Sequence, residues 1–352
     1  MDLRDRQIKD MSEFALIEHI VEVLGSSAYG AGQGVIRGIG DDSAVLQQAP
    51  GVRLLASCDM LVEGRHFDLD YFSPWQVGWK ALAANLSDIA AMGGRPRWAL
   101  VSLALRPDLT VGFVEDLYSG MAELAKQYNV VIVGGDTCSS PERMVIDISI
   151  LGEASRYEVA YRSGAREGDI ILVTGYLGQA AAGLAMLKTR EMIPPKDGLE
   201  VLHQAHLAPE PRVRESAELM RSGLVGAMND ISDGLTSELY EIIQASGCGA
   251  RIWADRLPID SPTAYLAQHL GVNPLDWALY GGEDFELLLT IKGGKGFPLK
   301  VKQLANSVKK VTGTPLSIIG RIMPISEEMS VVLPDGKIEY VKPGGYNHFS
   351  HR

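Results

Sequence analysis

Acidic residues recur in this chain where a strand would end or a helix begin, often beside glycine or a small hydroxyl residue. The segments are Gly38-Ile39-Gly40-Asp41-Asp42-Ser43, Ser57-Cys58-Asp59, Asn85-Leu86-Ser87-Asp88, Gly134-Gly135-Asp136-Thr137, Asp230-Ile231-Ser232-Asp233-Gly234 and Gly281-Gly282-Glu283-Asp284. Strand ends and helix N-termini are where ligands are usually held. Glycine lets backbone approach a phosphate closely. Taken singly, Asp230 and Ser232 are helix caps, Gly40-Asp41-Asp42 is a turn, and Asp88 is a solvated helix face. Asp136 follows an apolar strand, and a buried acid must be paired or bind a metal. Jointly, the residues suit a hard cation such as Mg²⁺. That ion takes one or two carboxylates and completes its shell with water and phosphate, so several ions on several phosphates need several separated acids.

Familiar phosphate and hydrolytic machinery is absent. The chain has no G-x-x-x-x-G-K-[ST] loop, no H-R-D or D-F-G pair, no H-E-x-x-H and no G-x-S-x-G. Formal net charge is −11, which disfavours a nucleic-acid or anionic-membrane partner. Divalent ions would reconcile that acidity with a nucleotide ligand. The three cysteines, Cys58, Cys138 and Cys248, form no CxxC pair and read as reduced thiols of a cytoplasmic protein. A first segment as charged as MDLRDRQIKD predicts no signal peptide, and no long apolar run predicts a membrane span.

The elements that must position these residues follow from periodicity. Helices are predicted from Ser12 to Gly25, from Ser73-Pro74 to Met92 and from Thr110 to Gln127. Strands are predicted over 52–58, 98–105, 130–133 and 144–151. After a composition break near residue 155 come a strand over 169–174 and helices over 178–188, 198–206, 212–222 and 233–246. A strand over 284–291, a helix over 298–311, a strand over 316–322 and a hairpin turning at Asp335-Gly336 complete the chain. At 352 residues this is an α+β chain of two domains, 1–155 and 156–352. The glycine-rich stretch from Tyr29 to Gly40 is expected to be mobile or ligand-shaped, and is the candidate for a loop that closes over substrate.

With these motifs in hand, the chain resembles the thiamine-monophosphate kinases, of the superfamily that includes aminoimidazole ribonucleotide synthetase and selenophosphate synthetase. The likeness rests on the acidic segments above, on Asp59–Phe67, on the long stretch from Lys80 to Gly93, on Arg162-Ser163-Gly164-Ala165, on Val173-Thr174-Gly175 and on Gly345-Tyr346-Asn347-His348-Phe349. It implies transfer of the ATP γ-phosphoryl group to thiamine monophosphate by direct in-line displacement, with no phosphoenzyme. It implies Mg²⁺ at Asp42, Asp59, Asp88, Asp136, Asp230 and Asp233, with Ser57 and position 58 adding ligands. A Cys58 thiol is a poor Mg²⁺ ligand, so its carbonyl would serve. It implies ATP against Gly135 and Asp136, its phosphates on Arg162 and Ser232, and adenine near Tyr118, which reads as lying off the apolar stripe of its helix. His66, Glu283 and Tyr346 would meet thiamine monophosphate. A homodimer would form through the N-terminal sheet, and the C-terminal domain would complete the site. Two other readings stay open: another ATP-using enzyme of the superfamily, ring-closing or selenophosphate-forming, and a non-catalytic sensor. No cysteine precedes Cys58, which counts against a selenophosphate-forming enzyme, and intact acids count against a sensor.

Overall fold

The computed structural model describes residues 3–7, 13–25, 34–37, 45–155, 159–189, 192–194, 196–293 and 297–345. Most of the Tyr29–Gly40 stretch, Asp42 and Tyr346 lie outside these. The chain divides into two compact units, one of residues 1–89 and 94–157, the other of 90–93 and 158–352.

Unit 1 is built on strands β3 (Val52–Val62), β4 (Arg95–Leu105), β5 (Val131–Ser139) and β6 (Val145–Ser155), in the order β3-β6-β4-β5. Only β4 and β5 run parallel, joined by helix α3 (Val111–Tyr128). Period-two alternation sorts the strands cleanly. Ile146, Ile148 and Ile150 are buried on one face with Val101 and Leu103, while Cys58, Met60 and Leu100 are exposed on the other. A small ladder of β1 (Val35–Arg37) and β2 (Val45–Leu46) packs on Trp98 at one end of the second face.

Helix α1 (Glu13–Leu24) packs on α3, and helix α2 (Pro74–Ala91) covers the buried face. Ser73 and Gln76 form a reciprocal capping box at the start of α2, each accepting from the other's backbone N–H. Thr110 caps α3 through the Phe113 N–H, and left-handed Asn129 closes it. The two helices meet where each is bare. A Cβ on Gly78 would lie 1.9 Å from the Leu117 carbonyl oxygen, and one on Gly120 would lie 2.0 Å from that of Trp75.

Unit 2 carries a seven-stranded sheet of β7 (Ile170–Thr174), β8 (Val225–Asp230), β9 (Gly249–Trp253), β10 (Leu287–Ile291), β11 (Leu316–Met323), β12 (Ser330–Val332) and β13 (Ile338–Tyr340). The order is β13-β12-β9-β11-β7-β10-β8, antiparallel except between β12 and β9. Helices α4 (Gln179–Lys188), α5 (Glu200–Leu207), α6 (Val213–Arg221), α7 (Leu235–Ser246), α8 (Ser261–Leu270), α9 (Pro274–Tyr280) and α10 (Phe297–Thr312) belong to it. Helix α7 packs Leu235, Leu239 and Ile242 on Ile171, Val173, Ile252 and Leu288, while α4, α5 and α8 share a second cluster at Ala182, Leu202 and Leu266. Strands β8 and β9 and helices α8 and α9 were not expected from the sequence.

Because backbone rather than a flexible side chain opposes each bare position, Gly120→Ala must push α2 and α3 apart. Urea unfolding should show a loss of about 1–3 kcal/mol, and a variant as stable as wild type would refute the close crossing.

Candidate functional site

In unit 1 the candidate ligands sit on β3, α2 and β5. Ser57 and Asp59 point to the helix-covered side of β3, half-buried, and Asp88 comes from the last turns of α2. The Ser57 hydroxyl donates to Asp88 Oδ2 in a short contact. One helical turn earlier, Asn85 is fully buried. Its Nδ2 donates to the Ala81 carbonyl at 3.0 Å, while its Oδ1 has no hydrogen-bond partner among the described residues. Cys58 alternates to the opposite, exposed face, so its thiol stands apart from Ser57 and Asp59.

Asp136 overturns one expectation. It is exposed rather than buried, because β5 is an edge strand whose apolar run ends at Val133. Register places Asp59, Ile148, Val101 and Gly135 in one row and Met60, Asp147, Ser102 and Asp136 in the next. Three strand spacings separate Asp59 from Asp136, about 14 Å. One ion cannot span that distance. Gly135 is required where it stands, since a Cβ there would lie 1.8 Å from the Val101 carbonyl oxygen.

His66 closes a tight turn after β3. Its Nδ1 accepts from the Val62 N–H at 2.9 Å, which leaves the proton on Nε2. Lys80 of α2, 1% exposed, donates to the His66 carbonyl at 3.0 Å. Tyr118 corrects another expectation: it is 4% exposed and lies on the buried side of α3, and burial raises its phenol pKa.

In unit 2, two motif segments are laced by backbone. Asp230 ends β8, and Ile231–Gly234 leads into α7. The Glu283 N–H donates to the Ser232 carbonyl at 2.6 Å, Phe285 N–H to Ile231 O at 2.9 Å, and Ile231 N–H to Glu286 O at 2.8 Å. Glu283 and Phe285 adopt φ of 68° and 49°, which non-glycine residues seldom do. The residues between and after them hold that strained turn. The half-buried Asp284 carboxylate accepts from the N–H groups of Gly178 and Ala180 at the start of α4, at 2.7 and 3.0 Å. Glu286, 2% exposed, takes a bidentate pair from Arg212 at 2.7 and 2.6 Å and a hydroxyl from Thr174 at 2.6 Å. The Glu283 carboxylate itself lies 3.4 Å from Nδ1 of His206 and is 30% exposed. Gly345 abuts the same turn, since a Cβ there would lie 2.1 Å from the Asp233 carbonyl oxygen.

Arg162 is half-exposed and oriented from below, Nε donating to Asn229 Oδ1 at 3.2 Å and Nη2 pairing with Glu241 at 3.0 Å. Asn229 reaches Glu238, a buried acid of α7 that also receives the Ser232 hydroxyl and the Asp233 N–H. Burial, with Asp230 and Glu241 nearby, raises the Glu238 pKa. Glu238 was not singled out from the sequence, where an acid in a helix's first turn is ordinary.

The donor chemistry of Ser57, Asp59, Asp88, Asp136, Asp230 and Asp233 is hard oxygen throughout, which fits a small divalent cation. Among the described residues no group of three or more His, Cys, Asp or Glu is placed to hold an ion unaided. Phosphate oxygens and water would have to complete each shell. No described helix is long and apolar enough to cross a membrane.

Two measurements check the frame around Glu283. Arg212→Met strands the buried Glu286 carboxylate and should cost about 3–5 kcal/mol in urea unfolding. Asp284 is pushed up to about 7, chiefly by burial and against the opposing effect of its two N–H donors. The folded state therefore holds this proton more tightly than the unfolded chain. Its stabilising contribution is complete below the ordinary carboxylate range and is lost as pH rises towards 7. Asp284→Asn should remove that part of the stability–pH slope between about pH 4 and 7. An unchanged slope would show that Asp284 is ionised in the fold throughout.

Two family models match the chain: the AIR synthase related protein N-terminal domain over residues 40–154 and its C-terminal domain over 166–328. The thiamine-monophosphate kinase of Bacillus subtilis (strain 168) is 39% identical over 315 residues, covering 89% of this chain and 93% of that one. That of Aquifex aeolicus (strain VF5) is 35% identical over 344 residues, covering 97% and 100%. Among solved structures, the thiamine-monophosphate kinase of Stenotrophomonas maltophilia K279a superposes with a TM-score of 0.78 at 33% identity, covering 93% and 98%. The structure of AaThiL complexed with AMPPCP and TMP gives 0.73 at 35% identity, covering 97% and 99%. The hydrogenase maturation protein HypE in complex with ATP shares the fold at 19% identity, with a TM-score of 0.74. With its two matched domains and this identity over nearly its whole length, the chain belongs to the thiamine-monophosphate kinase family of the AIR synthase related proteins.

Proposed function

We propose that this protein transfers the γ-phosphoryl group of ATP to thiamine monophosphate, giving thiamine diphosphate and ADP by direct in-line displacement. The observation that carries the reading is the 2.6 Å bond from the Glu283 N–H to the Ser232 carbonyl. It ties the segment assigned to the acceptor to the segment assigned to ATP in one backbone frame. Phosphoryl transfer asks chiefly for positioning and charge neutralisation, and a turn held by backbone bonds, a carboxylate cap and a buried ion pair supplies positioning.

The assignments follow residue by residue. Arg162 and Ser232 take phosphate oxygens; a planar guanidinium anchored at Nε and Nη2 keeps an exposed edge for them. Gly135 brings backbone close to the nucleotide beside Asp136. Glu283 and His66 face thiamine monophosphate, with Tyr346 completing that set; a carboxylate and an aromatic ring suit a cationic thiazolium. Tyr118 keeps only 4% of its surface exposed, so little more than one edge of it would meet adenine.

Mg²⁺ would be held by Asp42, Asp59, Asp88, Asp136, Asp230 and Asp233 with Ser57, while Cys58 contributes at most its carbonyl. Bound there, Mg²⁺ would offset phosphate charge. Several ions, rather than one, follow from the span between Asp59 and Asp136. Domains 1–155 and 156–352 would divide the ligands between them. The protein works in the cytoplasm, in keeping with three free thiols. It works as a homodimer: Leu54, Met60 and Leu100 are 50%, 55% and 38% exposed on the sheet face away from α2, and a second copy of that face would cover them.

ADP release that requires both thiamine monophosphate and a divalent ion is the direct test. ADP release indifferent to thiamine monophosphate, or surviving chelation, would sink the proposal. Asp136→Asn should lower kcat by about a hundredfold or more while circular dichroism and melting stay as in wild type; being exposed, Asp136 is free to change without cost to the core. Cys58→Ser should leave kcat and its Mg²⁺ dependence unchanged.

A further inference from the structure

We infer that Glu238 is a positioning residue for the triphosphate: its two carboxylate oxygens fix the Ser232–Asp233 turn on one side and, through Asn229, the Arg162 guanidinium on the other. The inference rests on the assignment of Arg162 and Ser232 to ATP.

Both ends of the bridge are hydrogen bonds. Oε1 of Glu238 accepts from the Ser232 hydroxyl at 3.3 Å and from the Asp233 N–H at 3.2 Å. Oε2 accepts from Asn229 Nδ2 in a short contact. Asn229 then turns its other amide atom to Arg162, Oδ1 accepting from Nε at 3.2 Å. Glu238 and Asn229 are each 3% exposed, so neither geometry is set by solvent. Glu241 tightens the same corner, accepting from Asn229 Nδ2 at 3.2 Å and pairing with Arg162 Nη2 at 3.0 Å.

The residue type matters. Three donors converge on this one side chain from two directions. The Asn229 amide and the Asp233 N–H each need an acceptor, one at either oxygen; a glutamine accepts at one and presents N–H donors at the other. An ordinary first-turn acid serves the helix dipole and needs neither Asn229 nor Arg162. Here the acid is instead placed among Asp230, Asp233 and Glu241, a costly neighbourhood that helix stability does not require. Its effect is to hold a phosphate-facing hydroxyl and a phosphate-facing guanidinium at a fixed separation before ATP arrives, which is the preorganisation that electrostatic stabilisation demands.

Glu238→Gln is the test. One oxygen continues to serve Asn229 or the Ser232–Asp233 turn, and the opposed amide N–H groups dislodge the other. The expected result is a Kd for a non-hydrolysable ATP analogue, by isothermal titration with Mg²⁺, raised by about tenfold or more. KM for ATP should rise in parallel, while KM for thiamine monophosphate stays within about twofold. In an Arg162→Ala background the same substitution should lose much of its effect, because part of its action runs through that guanidinium. Should Glu238→Gln fail to fold, Asn229→Ser carries the test, since it cuts only the Arg162 arm and should weaken analogue binding in the same sense. An analogue Kd within twofold of wild type in the folded variant overturns the inference. So does a rise in both KM values together with a lowered melting temperature, which marks a merely structural acid. If Arg162→Ala and Ser232→Ala themselves bind the analogue as wild type does, the ATP assignment falls and this inference with it; if those two weaken binding and Glu238→Gln does not, the inference alone falls.

Discussion

Carboxylates gathered at the ends of strands repel one another, and each must find a proton, a cation or a set of donors. Unit 2 uses all three remedies within a few residues. Glu286 is neutralised by a bidentate arginine. Asp284 sits at the N-terminus of a helix, on two backbone N–H groups, with its proton held more tightly than usual. Glu238 is surrounded by donors yet still crowded by other acids. Asp230 and Asp233 add further negative charge at the same turn, and in the proposed reaction a divalent ion would offset it together with that of the phosphates. The tolerance for so much like charge is what sets the rest of the local structure, because each acid has to be fixed before it can be useful.

Glycine does the complementary work in unit 1 and at the turns. At Gly78 and Gly120 the absence of a side chain lets two helices cross backbone to backbone. That crossing sets where α2 runs over the sheet, and so where Asp88 meets Ser57. At Gly282 a Cβ would lie 2.6 Å from the Ser232 carbonyl oxygen, so the lacing of Ser232 to Glu283 depends on a bare position as well. Packing and chemistry are therefore not separable layers here. The same close approaches that let the elements pack also bring the acids to their stations.

Much of this was legible in the sequence. The helices of unit 1 were readable because Ser73 and Thr110 are strong caps and the apolar stripes are long. The acidic turns were readable because glycine and small hydroxyls flank them. What failed, failed for physical reasons. Asp136 was inferred to be buried from the Val130–Val133 run, but burial of a strand stops at a sheet edge, and strand order is not written in the run itself. Tyr118 looked peripheral by helical periodicity, yet α1 and the sheet both pack on α3, which widens its buried side. Strands β8 and β9 contain glycine and small residues and alternate poorly, so only their neighbours in the sheet define them. Glu238 was invisible because the strand-to-helix turn that brings Asn229 onto it, and the fold that brings Arg162 onto Asn229 from 67 residues earlier, are not written in its helix.

The exposed edge position of Asp136 bears on how the ions would be used. A buried aspartate would be committed to one structural ion, whose removal would unfold its surroundings. An exposed aspartate on an edge strand, about 14 Å from Asp59 across the sheet, keeps its hydration until a ligand arrives and costs little stability to maintain. Acids spread this widely cannot pre-assemble a metal cluster, in keeping with the lack of any preformed three-ligand group among the described residues. Asp59, Asp88, Asp136, Asp230 and Asp233 would hold such ions, whose charge would offset that of the phosphates. Within unit 2, Asn229 and Glu238 hold the Arg162 guanidinium and the Ser232–Asp233 turn in place without any ion.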